Sequence, residues 1–155
     1  MSPAREVVAV VLTWRDRVGM FRRSRHMQSD PGKWHCITGF IEGLESPVGA
    51  AVRELFEETG LRVADLEGLV EGPRLVLSDA DGNAWNVHTF HASTEYRHLR
   101  LNWEHDAFHW VSRSRVRRFD GRVAWLDDVV TSLGLTYREK SPATRPARRR
   151  GHVTA

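Results

Sequence analysis

The chain has 155 residues, one cysteine and 28% charged residues, which suits one domain with its own core and excludes an internal disulfide framework. No apolar run approaches the ~20 residues of a membrane helix, Val7 to Leu12 being the longest, so a spanning segment is not expected. The basic pI, about 9.6, suggests nucleic acid until the charge is partitioned: residues 138–155 carry six Lys and Arg against one Glu, a net of +5, which leaves residues 1–137 at −2 of the whole chain's +3.

Val7-Val8-Ala9-Val10-Val11-Leu12 is β-branched and continuously apolar, the pattern of a strand buried on both faces. Arg15 to Gly19 reads as a turn, and Met20-Phe21-Arg22-Arg23 as the hairpin partner. A polar loop from Ser24 to Lys33 precedes a second short strand, Trp34 to Thr38. Ser46-Pro47 is a helix start, because serine caps free N–H groups and proline at the first helical position loses no hydrogen bond; Gly60 supplies the stop. Between them Val48, Ala51, Val52, Leu55 and Thr59 form one predicted core stripe. Leu75 to Leu77 and Trp85 to Ala92 read as strands joined across Asp79-Ala80-Asp81-Gly82-Asn83, and Phe108 to Val111 as a further strand. Val123, Leu126, Val129, Val130 and Leu133 predict a second amphipathic helix over 122–133. This order implies an α/β sandwich with a mixed sheet between helices, spanning 1–137, followed by a basic, disordered tail over 138–155.

The chemistry concentrates on the first helix, where Glu54, Glu57 and Glu58 stand at i, i+3 and i+4. Like charges so spaced cost a helix ~0.2–0.5 kcal/mol per pair, a cost that a bound cation removes. Glu42 and Glu45 precede the helix closely enough to join the cluster. All-oxygen donors favour hard Mg²⁺, or Mn²⁺ in its place, over Zn²⁺. A merely solvated acidic face is the ordinary reading of such a helix, and the full spacing overturns it. Gly39, five residues, Glu45, seven residues, then Arg53-Glu54-Leu55-Phe56-Glu57-Glu58-Thr59-Gly60-Leu61 resembles the Nudix box at every fixed position. Chance would give that match on the order of once in a billion start positions.

The resemblance covers residues 5–135 and implies the Nudix α/β/α sandwich, a divalent-metal requirement and hydrolysis of a phosphoanhydride bond in a nucleoside-diphosphate-linked substrate. By that similarity Glu54 and Glu58 are the primary metal ligands, Glu57 assists, Glu45 acts in the outer shell or through water, the Gly39 carbonyl reaches the metal, and Arg53 orients the carboxylates. Glu104, in a loop before a strand, is the leading candidate for a further ligand and general base, with Glu54 its competitor. Where many members read Pro-Gly-Gly, this chain has Thr38-Gly39-Phe40, and it has Gly43-Leu44 before Glu45, so the loop differs while the ligand set is intact. Ile37-Thr38-Gly39 and Glu104-His105 also resemble segments of dihydroneopterin triphosphate pyrophosphatases.

For substrate, Arg22, Arg23 and Arg25 are candidates to grip phosphate, with strand alternation sending Arg22 and Arg23 to opposite faces. Phe40, Trp85 and Trp14 are candidates to stack on a base; His88 and His105 are candidate polar contacts; Cys36 reads as a small buried hydrophobe. The expected substrate is a small nucleotide-like molecule, a nucleoside triphosphate or related triphosphate. Alternatives are an idle Nudix domain that senses a nucleotide and an RNA-directed enzyme that uses the basic tail. A homodimer is compatible with the sequence, and a cytoplasmic location is expected because no secretory leader is recognisable.

Overall fold

The computed structural model describes residues 4–79 and 81–136. The predicted tail over 138–155 lies outside the described residues, as does Ala80 in the predicted turn. The strands are β1 (Arg5–Trp14), β2 (Arg17–Arg23), β3 (Trp34–His35), β4 (Ile37–Phe40), β5 (Leu66–Ser78), β6 (Ala84–Thr94) and β7 (His105–Ser112); the helices are α1 (Pro47–Thr59) and α2 (Leu126–Ser132).

Continuous burial of Val7 to Leu12 has the expected cause, since β1 lies inside the sheet with a helix on each face. It pairs parallel with β6 over nine residues and antiparallel with β4 and β2 along its other edge, with Val8 opposite Gly39 and Trp14 opposite Arg17. Its alternation divides the core. Val8, Val10 and Leu12 pack with Ala50, Ala51 and Leu55 of α1; Val7, Ala9 and Val11 pack with Leu126, Val129 and Val130 of α2. The outer strands β5 and β7 pair with β6 and β2, which completes a mixed sheet between the two helices.

The hairpin turn is tighter than the predicted one: Arg15 and Asp16 alone link β1 to β2, with φ of 45° and 62°. Positive φ at both central residues suits a two-residue hairpin. The predicted strand over 34–38 is two pieces broken at Cys36, β3 on β2 and β4 on β1, because it bridges the gap between two diverging strands. β5 begins at Leu66, well before the predicted Leu75. Gly72-Pro73 reads as a breaker, yet β5 is an edge strand and its pairing with β6 is irregular between Glu71 and Arg74, where proline is tolerated.

The second helix is shorter than the predicted 122–133. Its first residues extend instead along β3: Trp34 N–H donates to Gly121 and Val123 N–H to Trp34. Arg122 then turns back to bind the Asp127 carboxylate through two nitrogens at 2.9 and 3.0 Å. Arg113–Arg118, unassigned by the sequence, forms a 3₁₀ segment.

α1 has the predicted ends. Ser46 Oγ accepts from Gly49 N–H at 3.1 Å, and Gly60, at φ 77°, donates to the Phe56 carbonyl. Its core stripe is rotated from the expected one. Val48 is 47% exposed, whereas Ala50, Ala51, Leu55 and two glutamates are buried. Leu55→Ala should therefore cost about 2–5 kcal/mol, the scale of a core cavity, and Val48→Ala less than about 0.5 kcal/mol; equal losses in chemical denaturation would contradict this orientation of α1.

Candidate metal centre

The rotation of α1 sets the site, because it turns Glu54 and Glu58 towards the sheet, 6% and 1% exposed. Ordinary helix patterning places an apolar residue there. β4 makes room by having no side chain at Gly39: a Cβ on that residue would lie 2.1 Å from both the Cδ and Oε1 of Glu54. The third carboxylate comes from the segment before β7. Glu104 is half-buried and fixed by its backbone, its N–H donating to Asn102 Oδ1 at 3.1 Å and its carbonyl accepting from Ser24 N–H at 2.8 Å. One carboxylate oxygen from each of Glu54, Glu58 and Glu104 lies within 4.8 Å of the others.

Arg53 anchors one side of the cluster. Its guanidinium donates to Glu45 through Nε at 2.8 Å and Nη2 at 2.9 Å, to Glu54 at 2.8 Å, to Glu57 at 3.3 Å and to the Phe40 carbonyl at 3.0 Å. Among the described residues no such donor reaches Glu58, both of whose carboxylate oxygens are buried without a hydrogen-bond partner. Burial raises the Glu54 carboxyl to about 7 against the pull of Arg53, with Glu104 and Glu57 adding to the rise. Glu58 is pushed well above the usual carboxylate range, first by burial, next by the Glu104 carboxyl beside it and then by the charge of Glu54. Three converging carboxyl groups, one with both oxygens lacking a hydrogen-bond partner among the described residues, fit a hard divalent cation held by oxygen.

The site residues divide into groups. Glu54, Glu58 and Glu104 meet, with Gly39 against Glu54; Arg53, Glu45 and Glu57 form an outer ion-pair network beside them. Arg23 is buried and donates to the Ser29 carbonyl and hydroxyl at 2.9 Å each, while its charge bears on Glu58. Arg22 turns outward, as alternation predicts, to pair with Asp106 and lie over the Trp34 ring. Arg25 is exposed. Phe40 stacks on Trp85 at 5.9 Å, and since Gly39 faces Glu54, alternation sends Phe40 to the opposite sheet face. Trp14 lies at the far end of β1, and His88 pairs with Glu6 at 2.7 Å.

Sequence reasoning overlooked His35. It is wholly buried beside Trp125, with both ring nitrogens unpartnered, as are those of His105. Burial, with the positive charge of Arg23, lowers them to about 3 and about 4, so both imidazoles are neutral at pH 7. His105 Nδ1 stands 3.9 Å from Glu58 Oε1, beyond hydrogen-bond reach. A histidine in a two-residue strand between tryptophan and cysteine has no spacing that marks it as part of a site.

Comparison with known proteins accords with this geometry. Residues 3–132 match the model of the NUDIX domain, and the chain belongs to that family. It is 37% identical over 114 residues to an octanoyltransferase of Myxococcus xanthus, a match covering 70% of this chain and 31% of that protein. It is 30% identical over 105 residues to an RNA pyrophosphohydrolase of Cereibacter sphaeroides, covering 65% of this chain and 59% of the relative. The chain thus spans from under a third to about three-fifths of these two relatives. Among solved structures, a MutT NUDIX hydrolase of Burkholderia pseudomallei superposes with a TM-score of 0.72 at 18% identity, over 85% of this chain and 99% of that one. The Escherichia coli dihydroneopterin triphosphate pyrophosphohydrolase gives 0.67 at 21% identity, over 86% and 99%. The NUDIX domain of Shewanella oneidensis NrtR, complexed with ADP ribose, gives 0.70 at 19%, over 86% and 88%.

Two outcomes follow from the buried carboxylates. A folded-state pKa raised to about 7 means that the Glu54 contribution to stability is full below the ordinary carboxylate value and is lost as pH rises through 7. Metal-free protein should melt at lower temperature at pH 8 than at pH 5, and Glu54→Gln should flatten that slope; an unchanged slope would remove Glu54 as its cause. Gly39→Ala should displace the Glu54 carboxylate and weaken Mn²⁺ binding by about 10-fold or more in calorimetric titration. Wild-type affinity in that variant would show that the carboxylate tolerates the shift.

Proposed function

We propose that this chain is a divalent-metal-dependent hydrolase that cleaves a phosphoanhydride bond in a nucleoside-diphosphate-linked substrate, specifically a nucleoside triphosphate or related triphosphate. The observation that carries the reading is the convergence of Glu54, Glu58 and Glu104 within 4.8 Å, two of them buried. Desolvating carboxylates without using their charge is costly, and a cation supplies the use. Mg²⁺, with Mn²⁺ a substitute, is the proposed ion, and when bound it supplies positive charge against the phosphate oxygens and acidifies the attacking water.

The chain's own residues have separate tasks in this scheme. Glu54, Glu58 and Glu104 would hold the ion, with the Gly39 carbonyl a further candidate donor. Arg53 keeps the Glu54 carboxylate in one orientation and ties Glu45 and Glu57 into the outer network, so that both are positioning groups. As water oxygen bonds to phosphorus and the anhydride oxygen leaves with the departing phosphate, a carboxylate must take the proton. Glu104 is the proposed base, since it is the least buried of the three and stands on a backbone-fixed loop; Glu54, with a pKa about 7, is its competitor. Arg23 is the arginine best placed to bring positive charge to the site.

A nucleotide-sensing role draws support from the resemblance to the NrtR domain with its ADP ribose. The complete carboxylate set favours turnover over sensing.

Activity against a panel of nucleoside and pterin triphosphates should require Mg²⁺ or Mn²⁺, and full turnover in excess EDTA would refute the metal requirement. Glu54→Gln and Glu58→Gln should each lower kcat by about 100-fold or more, the scale of one preorganised electrostatic group. The metal-free melting temperature should hold or rise in both, because each variant removes the cost of ionising a buried carboxyl. Glu104→Gln should lower kcat with less effect on Mn²⁺ affinity than Glu58→Gln; wild-type turnover in that variant would move the base to Glu54.

A further inference from the structure

A cleft of about 530 Å³ opens at the end of the sheet away from the carboxylates, lined by Trp14, Trp110, Phe108, Arg17, Arg97 and His98 among others, with no carboxylate in its wall. Its floor is aromatic. The Trp14 and Trp110 rings lie 5.8 Å apart, and Trp110 meets Phe108 edge-on at 6.1 Å. Gly19, opposite Trp110 across β2 and β7, leaves the indole space to lie against the strand, since a Cβ there would stand 3.1 Å from the ring. Trp110 Nε1 donates to the Arg97 carbonyl at 3.0 Å and so pins the segment that carries Arg97 and His98. The rim is cationic. Arg97 and Arg15 lie over the Trp14 ring at 5.8 and 5.1 Å, and neither Arg17 nor Arg97 forms an ion pair among the described residues. The nearby Asp16 is engaged by Arg113 at 2.7 Å.

Two half-buried indoles ringed by unneutralised guanidinium groups match a ligand with a flat π-face and a phosphate. We propose that this cleft binds a nucleotide of a single-stranded nucleic acid, its base stacked on Trp14 and its phosphate held by Arg17 and Arg97. An exposed guanidinium over an indole is a weak contact that a stacked base outcompetes, and the displaced arginine is then free to meet phosphate. β7 measures the separation from the metal centre: from His105 beside Glu58 to Trp110 is on the order of 17 Å at strand rise, farther than one nucleotide reaches. A strand of several nucleotides is long enough to occupy both places. The site is a binding surface in its own right and does not depend on turnover.

The test is fluorescence anisotropy with a labelled single-stranded oligouridylate bearing a 5′ hydroxyl, on the full chain in EDTA, so that hydrolysis plays no part. The double variant Arg17→Gln/Arg97→Gln should bind roughly tenfold or more weakly, and its log-affinity against log-salt slope should be shallower by about 1.4, two single-strand phosphate contacts at ~0.7 each. Trp14→Leu should weaken binding by about fivefold or more and leave the slope unchanged, because stacking releases no counterions. Triphosphate hydrolysis by the double variant should match wild type, and duplex RNA, whose bases are not free to stack, should compete poorly. The proposal is overturned if wild type does not bind the oligonucleotide, if duplex competes equally, or if the double variant binds within twofold of wild type. The last result would place the binding on the arginine-rich residues 138–155, which that variant retains.

Discussion

Two carboxylates face the sheet from a helix where ordinary patterning puts apolar side chains, and much of the surrounding structure accommodates them. Glu58 is as buried as the leucine between them, and Glu54 nearly so. Desolvation alone makes such groups unfavourable when charged, and their mutual repulsion adds to that. Gly39 gives Glu54 its space, Arg53 offsets part of its charge, and Arg23 brings positive charge near Glu58. Glu104, carried by a loop that two backbone hydrogen bonds hold, increases the concentration of negative charge where a purely structural design would dilute it. Local stability is given up for a site, the pattern expected of function.

The apolar framework makes this rigid. β1, covered on both faces, separates the α1 core from the α2 core, so α1 cannot rotate its glutamates towards solvent without withdrawing Ala51 and Leu55 from the sheet. The break between β3 and β4 lets one short stretch of chain serve two diverging strands, and it carries His35 and Gly39 to opposite sides of the break. His105, neutral and with no hydrogen-bond partner among the described residues, stands beside Glu58, while His35 is buried against Trp125. Buried atoms of this kind require partners, and ordered water or ligand groups are the partners the chemistry allows.

Legibility from sequence followed the range of the interactions. α1 was readable to the residue at both ends, because Ser46, Pro47 and Gly60 act on the adjacent backbone. The glutamate spacing was readable because a helix converts it directly into a shared face. The rotation of that face is not: of the stripe Val48, Ala51, Val52, Leu55 and Thr59, Ala51, Leu55 and Thr59 are buried, Val48 is exposed, and Ala50, Glu54 and Glu58 join the covered side, which only the sheet decides. β5 extends beyond the predicted Leu75 to Leu77 because its edge position and irregular pairing with β6 accommodate Pro73, which local sequence does not reveal. The second helix is shorter than its periodicity suggests because Val123 has helical spacing but is held by a strand-like bridge beside Trp34. Phe40 and Trp85 were legible as aromatics, and their stacking on each other across the face away from Glu54 was not. His35 carries no signal, since its burial against Trp125 comes from contacts distant in sequence.

The central claim is that a cation replaces the protons that burial favours on Glu54 and Glu58, and proton release on metal binding tests it most directly. Mn²⁺ titrated into the full chain at pH 7 in a weakly buffered indicator solution should release protons in step with binding, more at pH 6.5 than at pH 8, because Glu54 has a pKa about 7 and Glu58 lies above the usual range. Glu58→Gln should remove most of that release. Saturable binding with no proton release across this pH range would mean that the carboxylates are already ionised in the metal-free protein, and would contradict the account.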